Sequence, residues 1–419
     1  MEDDIYGSKK TYQKIKNNLE QYALPPKERI FNKRGRGKYH FKNKENLKYV
    51  ENFFNFAESS GMSGSGVNRC FTILLVAGHV IEKNFKEATQ EDLTRVVSVA
   101  FQTNKTKSSR ETFIKRIKRI WNIICPELDS KGRPDMSKPA HATKHLKATQ
   151  HKSQEKARED KLTPEELKDI ISYFDSDPQT QSFILCLYDA FLRPQEAAFL
   201  RNKDVKFYDE YITFQVSSHG KEGVGKTWTD KGIPYFIRWK EQHPYKNNEK
   251  SFFFVNQSSN SDKTKQFSLA MFSKRIKRCC KDLGIKKPIT PYSFNRSGIT
   301  EAVISATPHS VIQRKRRWSN LKQLKNYDLS NTEEVMIAEL QRKGKIQNGK
   351  KKKEDLHKEK ECLFCGNKNG FGDEFCKVCK RPLDRKKVQE QVIQSEMMLN
   401  NEIMKKFSDI EERLNKLKG

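Results

Sequence analysis

Apolar residues recur at helical spacing from Asn46 onward. Leu47, Val50, Phe53, Phe54 and Phe56 share one face, and Val67, Phe71, Leu74, Leu75 and Val80 a second, with Phe85, Leu93, Val96, Val97 and Val99 following. Phe113, Ile114, Ile117, Ile120, Trp121 and Ile124 form a further stripe opposite the basic residues Lys115, Arg116, Lys118 and Arg119. Amphipathic stripes this closely spaced predict a small helical bundle over residues 43–128. Residues 1–42 are polar and basic, and read as an N-terminal arm with one helix at Lys9–Tyr22. Residues 129–161 nearly lack large apolar side chains and read as a basic linker. Its three histidines, His141, His145 and His151, have no Cys or carboxylate framework around them and make a poor metal site.

A second body is predicted over residues 162–342. Thr163-Pro164-Glu165-Glu166 is a capping box with proline at the first helical position, and it opens a helix bearing Leu167, Ile170, Ile171 and Phe174. A second helix covers Ser182–Leu192, and a third starts near Pro194. The period then changes to two. Tyr211–Val216 reads as a strand, a Gly-rich turn follows, and Ile233–Ile237 is strand-like. Ser251–Val255 is a further apolar run, and helices resume over Phe267–Leu283 and Tyr292–Ile304. His309–Tyr327 is strongly basic. The expected fold class is mainly α with a small antiparallel β-sheet (α+β). A charged linker at 343–360, a Cys-rich segment at 361–385 and an amphipathic helix at 386–419 complete the chain. In the tail, Ile393, Asn400, Phe407 and Leu414 recur at one heptad position and Ile403, Ile410 and Leu417 at another. That pattern suits a coiled coil between subunits with Asn400 setting register, or a helix folded back on its own body.

Charge narrows the function. The 419 residues carry 82 Lys plus Arg against 53 Asp plus Glu, a net of +29, which calls for a polyanionic partner, nucleic acid first. The longest apolar run, Phe71–Ile81, is too short to span a bilayer and is interrupted by Gly78 and His79, so no membrane role is expected. The N-terminal sequence lacks the apolar core of a secretory signal, which points to a cytoplasmic location on DNA. Of nine cysteines, five are scattered and four form two CxxC pairs: Cys362, Cys365, Cys376 and Cys379. Two such pairs place four thiolates around one structural Zn2+ with no open position, so this ribbon is expected to fold on its own and take no part in catalysis.

Gly220 to Thr227 reads GKEGVGKT, the letters of a phosphate-cradling loop. That loop works only where it runs straight into a helix whose amides face the phosphates. Here Trp228-Thr229-Asp230-Lys231-Gly232-Ile233-Pro234 follows, and Gly232 and Pro234 oppose a helix. A Gly-rich hairpin presenting Lys221 and Lys226 is the better reading, and no nucleotide is expected.

Several short motifs stand in a meaningful order. Phe191-Leu192-Arg193-Pro194-Gln195-Glu196 is followed by His219-Gly220-Lys221 in the hairpin, by Thr290-Pro291-Tyr292-Ser293-Phe294-Asn295-Arg296-Ser297, and by Arg317-Trp318-Ser319 with Trp318 nine residues before Tyr327. In order and spacing, residues 162–335 resemble the catalytic domain of the tyrosine recombinases, the phage-integrase family, with spacing closest to archaeal members, some of which carry a similar ribbon. The bundle at 46–125 is similar to the family's core-binding domain.

The resemblance implies a site-specific DNA recombinase or integrase that cleaves and rejoins strands through a 3′-phosphotyrosine. Its partner would be double-stranded DNA, clamped between the two lobes, and it would act as a homo-oligomer, a tetramer on recombining sites. Tyr327 would be the nucleophile, Arg193 a charged fork on the phosphate, Lys221 the acid for the departing 5′ oxygen, and Trp318 an indole N–H donor. Tyr292 would fill the family's His or Tyr position, and Glu196 would orient Arg193. No cofactor is needed for catalysis, because the phosphotyrosine conserves the bond energy.

The second box departs from this pattern. The family's arginine, three residues after Tyr292, is here Asn295, and Arg296 follows it. Asparagine brings no charge, and loss of one charge-assisted donor from such a site costs roughly 10²–10³ in rate. Either Arg296 takes the missing role, or the chain is a catalytically impaired relic that only binds DNA. An Arg296 that points to solvent or to a distant acidic residue would set the active reading aside in favour of a DNA-binding remnant.

Overall fold

The computed structural model describes residues 4, 7–30, 38–104, 106–148, 158–216, 223–257, 264–346, 357–384, 397–398, 401–406, 408 and 410. The chain divides into two compact units, 1–155 and 156–419. In keeping with the sequence, it is mainly helical with small antiparallel sheets.

The first unit is built from helices α1 (Ser8–Asn17), α2 (Leu47–Ser59), α3 (Gly64–Val80), α4 (Gln90–Thr103) and α5 (Lys107–Ile124). Their starts are set by side-chain caps: Ser63 for α3, the Thr89/Asp92 capping box for α4 and Thr106 for α5. The predicted apolar stripes meet in one core that includes Val50, Phe53, Leu74, Val96, Ile117 and Trp121. Two boundaries shift. The N-terminal stretch is not simply a solvated arm, because Tyr12, Ile15 and Leu19 are buried in this core. The expected linker contributes a short hairpin, β1 (Glu127–Leu128) and β2 (Pro134–Asp135), and buries Ala140, Ala142 and Leu146 against the same core. Small apolar residues at the right period suffice to dock a segment whose overall composition is polar.

In the second unit α6 (Pro164–Tyr173) begins at the expected capping box, and α7 (Pro178–Tyr188) is buried along its whole length. A helix apolar on nearly every side belongs at the centre of a domain. Two of its polar residues serve backbone groups: Gln179 accepts from Val255 N at 2.7 Å, and Gln181 donates to Ile171 O at 2.9 Å. After α8 (Pro194–Ala198) come strands β3 (Val205–Phe207), β4 (Ile212–Val216) and β5 (Gly225–Thr229), paired antiparallel in sequence order. Gly225-Lys226-Thr227 therefore lies on a strand, pairing with Gln215 and Phe214 among others, and cannot cradle phosphates from a helix N-terminus. Ile233–Ile237, expected as a strand, opens helix α9 (Ile233–Gln242) instead. Gly232 takes a left-handed conformation before it, and Pro234 sits in the first turn, where its missing N–H costs nothing. Helices α10 (Leu269–Asp282), α11 (Pro291–Ile304), α12 (His309–Arg316) and α13 (Thr332–Arg342) follow.

The Cys-rich segment, with strands β6 (Lys360–Glu361) and β7 (Lys368–Asn369), is not an independent ribbon. Phe371 is fully buried and joins the core of the second unit. Gly372 donates its N–H to the Tyr235 hydroxyl at 2.7 Å and accepts from Ser172 Oγ at 2.8 Å. Asp373 pairs with Arg238 at 3.3 Å. The preceding charged stretch is tied down as well: Glu359 accepts from Ile233 N at 3.0 Å, and His357 bonds Pro164 O at 3.1 Å. Of the tail's heptad positions, Ile403 and Ile410 are helical and exposed, while Ile393, Asn400, Phe407, Leu414 and Leu417 lie outside the described residues.

Candidate active site

Arg193 stands in the turn between α7 and α8, and three features hold it there. Glu196 accepts from the Arg193 backbone N–H at 3.1 Å and from its Nη1 at 3.2 Å, so one carboxylate caps α8 and grips the guanidinium. Asn295, on α11, donates its amide to Leu187 O at 3.1 Å and Leu192 O at 3.0 Å, pinning the turn from below. Phe191 adopts a left-handed backbone, φ 55°, at about 1–2 kcal/mol for a residue with a Cβ.

The facing wall comes from the end of α12. Arg317 terminates the helix with φ 60° and donates Nη2 to Glu196 Oε2 at 2.6 Å. Its path explains a glycine of the phosphate-loop look-alike: a Cβ on Gly225 would lie 2.6 Å from Arg317 Cδ. Arg316 is fully buried. Its Nη1 donates to Phe191 O at 2.7 Å and its Nη2 to the Tyr327 hydroxyl at 3.1 Å. The same guanidinium lies over the Tyr327 ring, 5.0 Å from its centroid. Trp318 packs against Tyr327, ring centroids 5.2 Å apart, within a small apolar cluster with Phe191, Ile299, Ile312 and Leu324. Thr300 of α11 donates to Tyr327 O at 3.2 Å and fixes the tyrosine's backbone.

Electrostatics follow from this crowding. Burial pushes the Glu196 carboxyl up, but Arg317, Arg193 and Arg316 outweigh it and hold the group below the usual carboxylate range. Burial and the neighbouring Arg193 pull Arg316 below the ordinary arginine value, against Tyr327 and Glu196. Burial raises the Tyr292 phenol, with Arg193 opposing, although two-fifths of that residue's surface is exposed. Three guanidiniums thus surround one carboxylate. Arg316 Nε, Arg317 Nε and Nη1 and Trp318 Nε1 are buried without a hydrogen-bond partner among the described residues. Buried donors and excess positive charge without protein partners are what a bound oxyanion would satisfy.

Of the residues singled out in the sequence, Arg193, Glu196, Tyr292, Trp318 and Tyr327 come together. Lys221 lies outside the described residues, in the connection between β4 and β5. Asn295 supports the site through backbone carbonyls. Arg296 is held by Asp160, which binds its guanidinium and also accepts from Ser293 Oγ at 2.5 Å. Arg316 was not anticipated, because a basic strip reads as solvated surface. One signal was available: Arg316 lies four residues after Ile312, and i and i+4 share a helix face, so a buried Ile312 turns Arg316 inward.

The four clustered cysteines fit a metal. Their Sγ atoms lie within 4.8 Å of one another, with Cys362 to Cys379 at 3.5 Å and Cys365 to Cys376 at 3.6 Å. Four thiolates about 2.3 Å from Zn2+ form a tetrahedron with edges of about 3.8 Å.

The mainly helical fold with its small antiparallel sheets agrees with the comparisons to known proteins. Residues 160–334 match the model of the phage integrase family. Among solved structures, the chain is similar to the XerH site-specific recombinase in a post-cleavage complex with its difH substrate, with a TM-score of 0.52, 15% identity, and 71% of this chain and 89% of that one covered. It is similar to the Tn1549 transposon integrase in complex with transposon right-end DNA, with a TM-score of 0.51, 14% identity, and 70% and 98% covered. It also resembles a lambda integrase dimer on a core site, with a TM-score of 0.51, 11% identity, and 75% and 85% covered. At such identities the likeness concerns the fold. No curated protein sequence matches the chain.

Proposed function

We propose that the protein is a site-specific DNA strand transferase, a recombinase or integrase working through a 3′-phosphotyrosine. The observation that carries this reading is the Tyr327 hydroxyl bonded to a buried guanidinium, 3.1 Å away, beside Arg193 and Glu196. Tyr327 Oη attacks the scissile phosphorus and forms the phosphotyrosine bond, and the bond from phosphorus to the 5′ oxygen breaks. The phenolic proton leaves to solvent or a neighbouring base, and Lys221 returns one to the departing 5′ oxygen. Attack by a new 5′ hydroxyl reverses the step, with no net oxidation and no nucleotide. Arg193 offers two N–H groups to the non-bridging oxygens, Glu196 positions Arg193 and Arg317, Trp318 donates its indole N–H, and Tyr292 flanks the nucleophile. Zn2+, held by Cys362, Cys365, Cys376 and Cys379, would be structural only. The working form would be a homo-oligomer, a tetramer on paired sites, acting on DNA in the cytoplasm. Among the described residues no helix is long and apolar enough to cross a membrane.

The test uses a pool of random-sequence duplexes carrying one nick, so that the short cleaved fragment diffuses away and traps the intermediate. Wild-type protein should form a covalent adduct that survives denaturing electrophoresis. Tyr327→Phe should form none while binding DNA within about threefold of wild type. An adduct retained by Tyr327→Phe would rule the nucleophile out.

A second reading, a relic that only binds DNA, draws on Asn295 and on the Arg296–Asp160 pair. It predicts the same binding and no adduct. Both readings expect affinity dominated by phosphate contacts. With six or more contacts, affinity should fall about 10³-fold or more between 50 and 200 mM salt. Titrations showing a change of less than tenfold would exclude DNA backbone binding as the role of the +29 charge.

A further inference from the structure

We infer that Arg316 is a catalytic residue of this site, supplying from α12 the second phosphate-binding charge that Asn295 on α11 cannot; the inference rests on the strand-transfer reading above. Three observations lead to it. First, both residues of the altered box are already committed. The Asn295 amide spends both hydrogens on Leu187 O and Leu192 O, and Arg296 is paired with Asp160. Second, Arg316 touches the reacting atom: its Nη2 lies 3.1 Å from the Tyr327 hydroxyl. Third, it is anchored and still has capacity. Phe191 O fixes Nη1 at 2.7 Å, and Nε is buried with no partner among the described residues. A guanidinium has five N–H groups, so a fork held by one corner and resting on the nucleophile can still grip phosphate oxygens through the others.

The position has a chemical logic. An attacking phenol needs its negative charge stabilised as the proton leaves, and the phosphorane needs its non-bridging oxygens matched. One cation between Tyr327 and the phosphate serves both needs. Arg193 and Arg317 share Glu196, which offsets part of their charge. Among the described residues Arg316 bonds Phe191 O and the Tyr327 hydroxyl, and no carboxylate.

The experiment compares Arg316→Ala, Arg316→Lys and Arg296→Ala on a duplex that the wild-type chain cleaves. Arg316→Ala should reduce the rate of adduct formation by about 10²–10³-fold, with DNA binding within about threefold of wild type. Ethylguanidinium added to Arg316→Ala should restore part of the rate, which a merely structural role would not allow. A duplex with a neutral methylphosphonate at the cleaved position should narrow the gap between Arg316→Ala and wild type, because the phosphate charge to be matched is gone while the phenolate's remains. Arg296→Ala should stay within a few-fold of wild type. If Arg316→Ala fails to fold, Arg316→Lys, which keeps charge and bulk but loses the fork, should fold and lose at least tenfold. Adduct formation by folded Arg316 variants at the wild-type rate would overturn this inference alone. Adduct absent from the wild-type chain on every duplex would overturn strand transfer itself, and the role of Arg316 with it.

Discussion

Gly298→Ala should unfold the second unit or bring it close to unfolding. A methyl group at this position would sit 1.8 Å from Tyr188 O and 2.7 Å from its carbonyl carbon. Both contacts are to backbone at the end of α7, which has no flexible side chain to move aside. Alanine ordinarily gains about 1 kcal/mol over glycine inside a helix. Overpacking of a side-chain core costs about 1–3 kcal/mol, and a clash with main chain belongs at the upper end or beyond. The close approach matters for function, since α11 carries Tyr292 and Asn295 and must lie tight on α7 for Asn295 to reach Leu187 O and Leu192 O. Urea titration should show a midpoint lowered by about 1 M or more, given slopes of roughly 2–3 kcal/mol per molar. An unchanged midpoint would show that the helices can separate without penalty, and would undo this account of the turn that holds Arg193.

Removing metal from the cysteine cluster should destabilise the whole second unit as well as the ribbon. The four thiols hold the segment whose Phe371 fills the core beside Tyr235, rings 5.7 Å apart and edge to face. Once the ligands separate, Phe371, the Gly372 contact to Tyr235 and the Arg238–Asp373 pair are no longer held in place. Losing a buried phenylalanine from a core costs about 3–5 kcal/mol. For a unit of this size each kcal/mol moves the melting temperature by about 2–4 °C, so a fall of roughly 10 °C is expected. Calorimetry with and without chelator measures it, and Cys376→Ser should reproduce it. Loss of metal with less than a 2 °C change would mean that the ribbon is only an appendage. Chelator should slow strand transfer only as far as it unfolds the unit, since the cysteines belong to a cluster separate from Tyr327.

Periodic elements were the most legible part of the sequence. The stripes through Val50, Leu74, Val96 and Ile117 became α2 to α5, and the Thr163–Glu166 box opened α6 as written. Errors arose where local pattern and tertiary context disagree. Ile233 to Ile237 is apolar enough for a strand, yet the proline that argued against a helix starts one. The helix within Lys9–Tyr22 was legible, but not the burial of Tyr12, Ile15 and Leu19, because neighbouring lysines make the segment look solvated. In the site, the residues of the family pattern were readable because chemistry fixes their type and order. Arg316 was not, because a buried arginine depends on what surrounds it: Phe191 O to hold it, Tyr327 to meet it and Trp318 to shield it.

Arg316 and Tyr327 are eleven residues apart on one continuous stretch of chain. Where the second charge sits on α11, nucleophile and charge belong to separate elements and can part company. Here they lie on one stretch that turns at the left-handed Arg317 and is braced by Trp318. On the strand-transfer reading, any displacement of this stretch would remove attacking group and activator in one motion, leaving Arg193 gripped by Glu196 and unable to react alone. A subunit in that posture would be silent rather than merely slow. Strand exchange demands such an all-or-none setting, because half-active partners would leave broken ends.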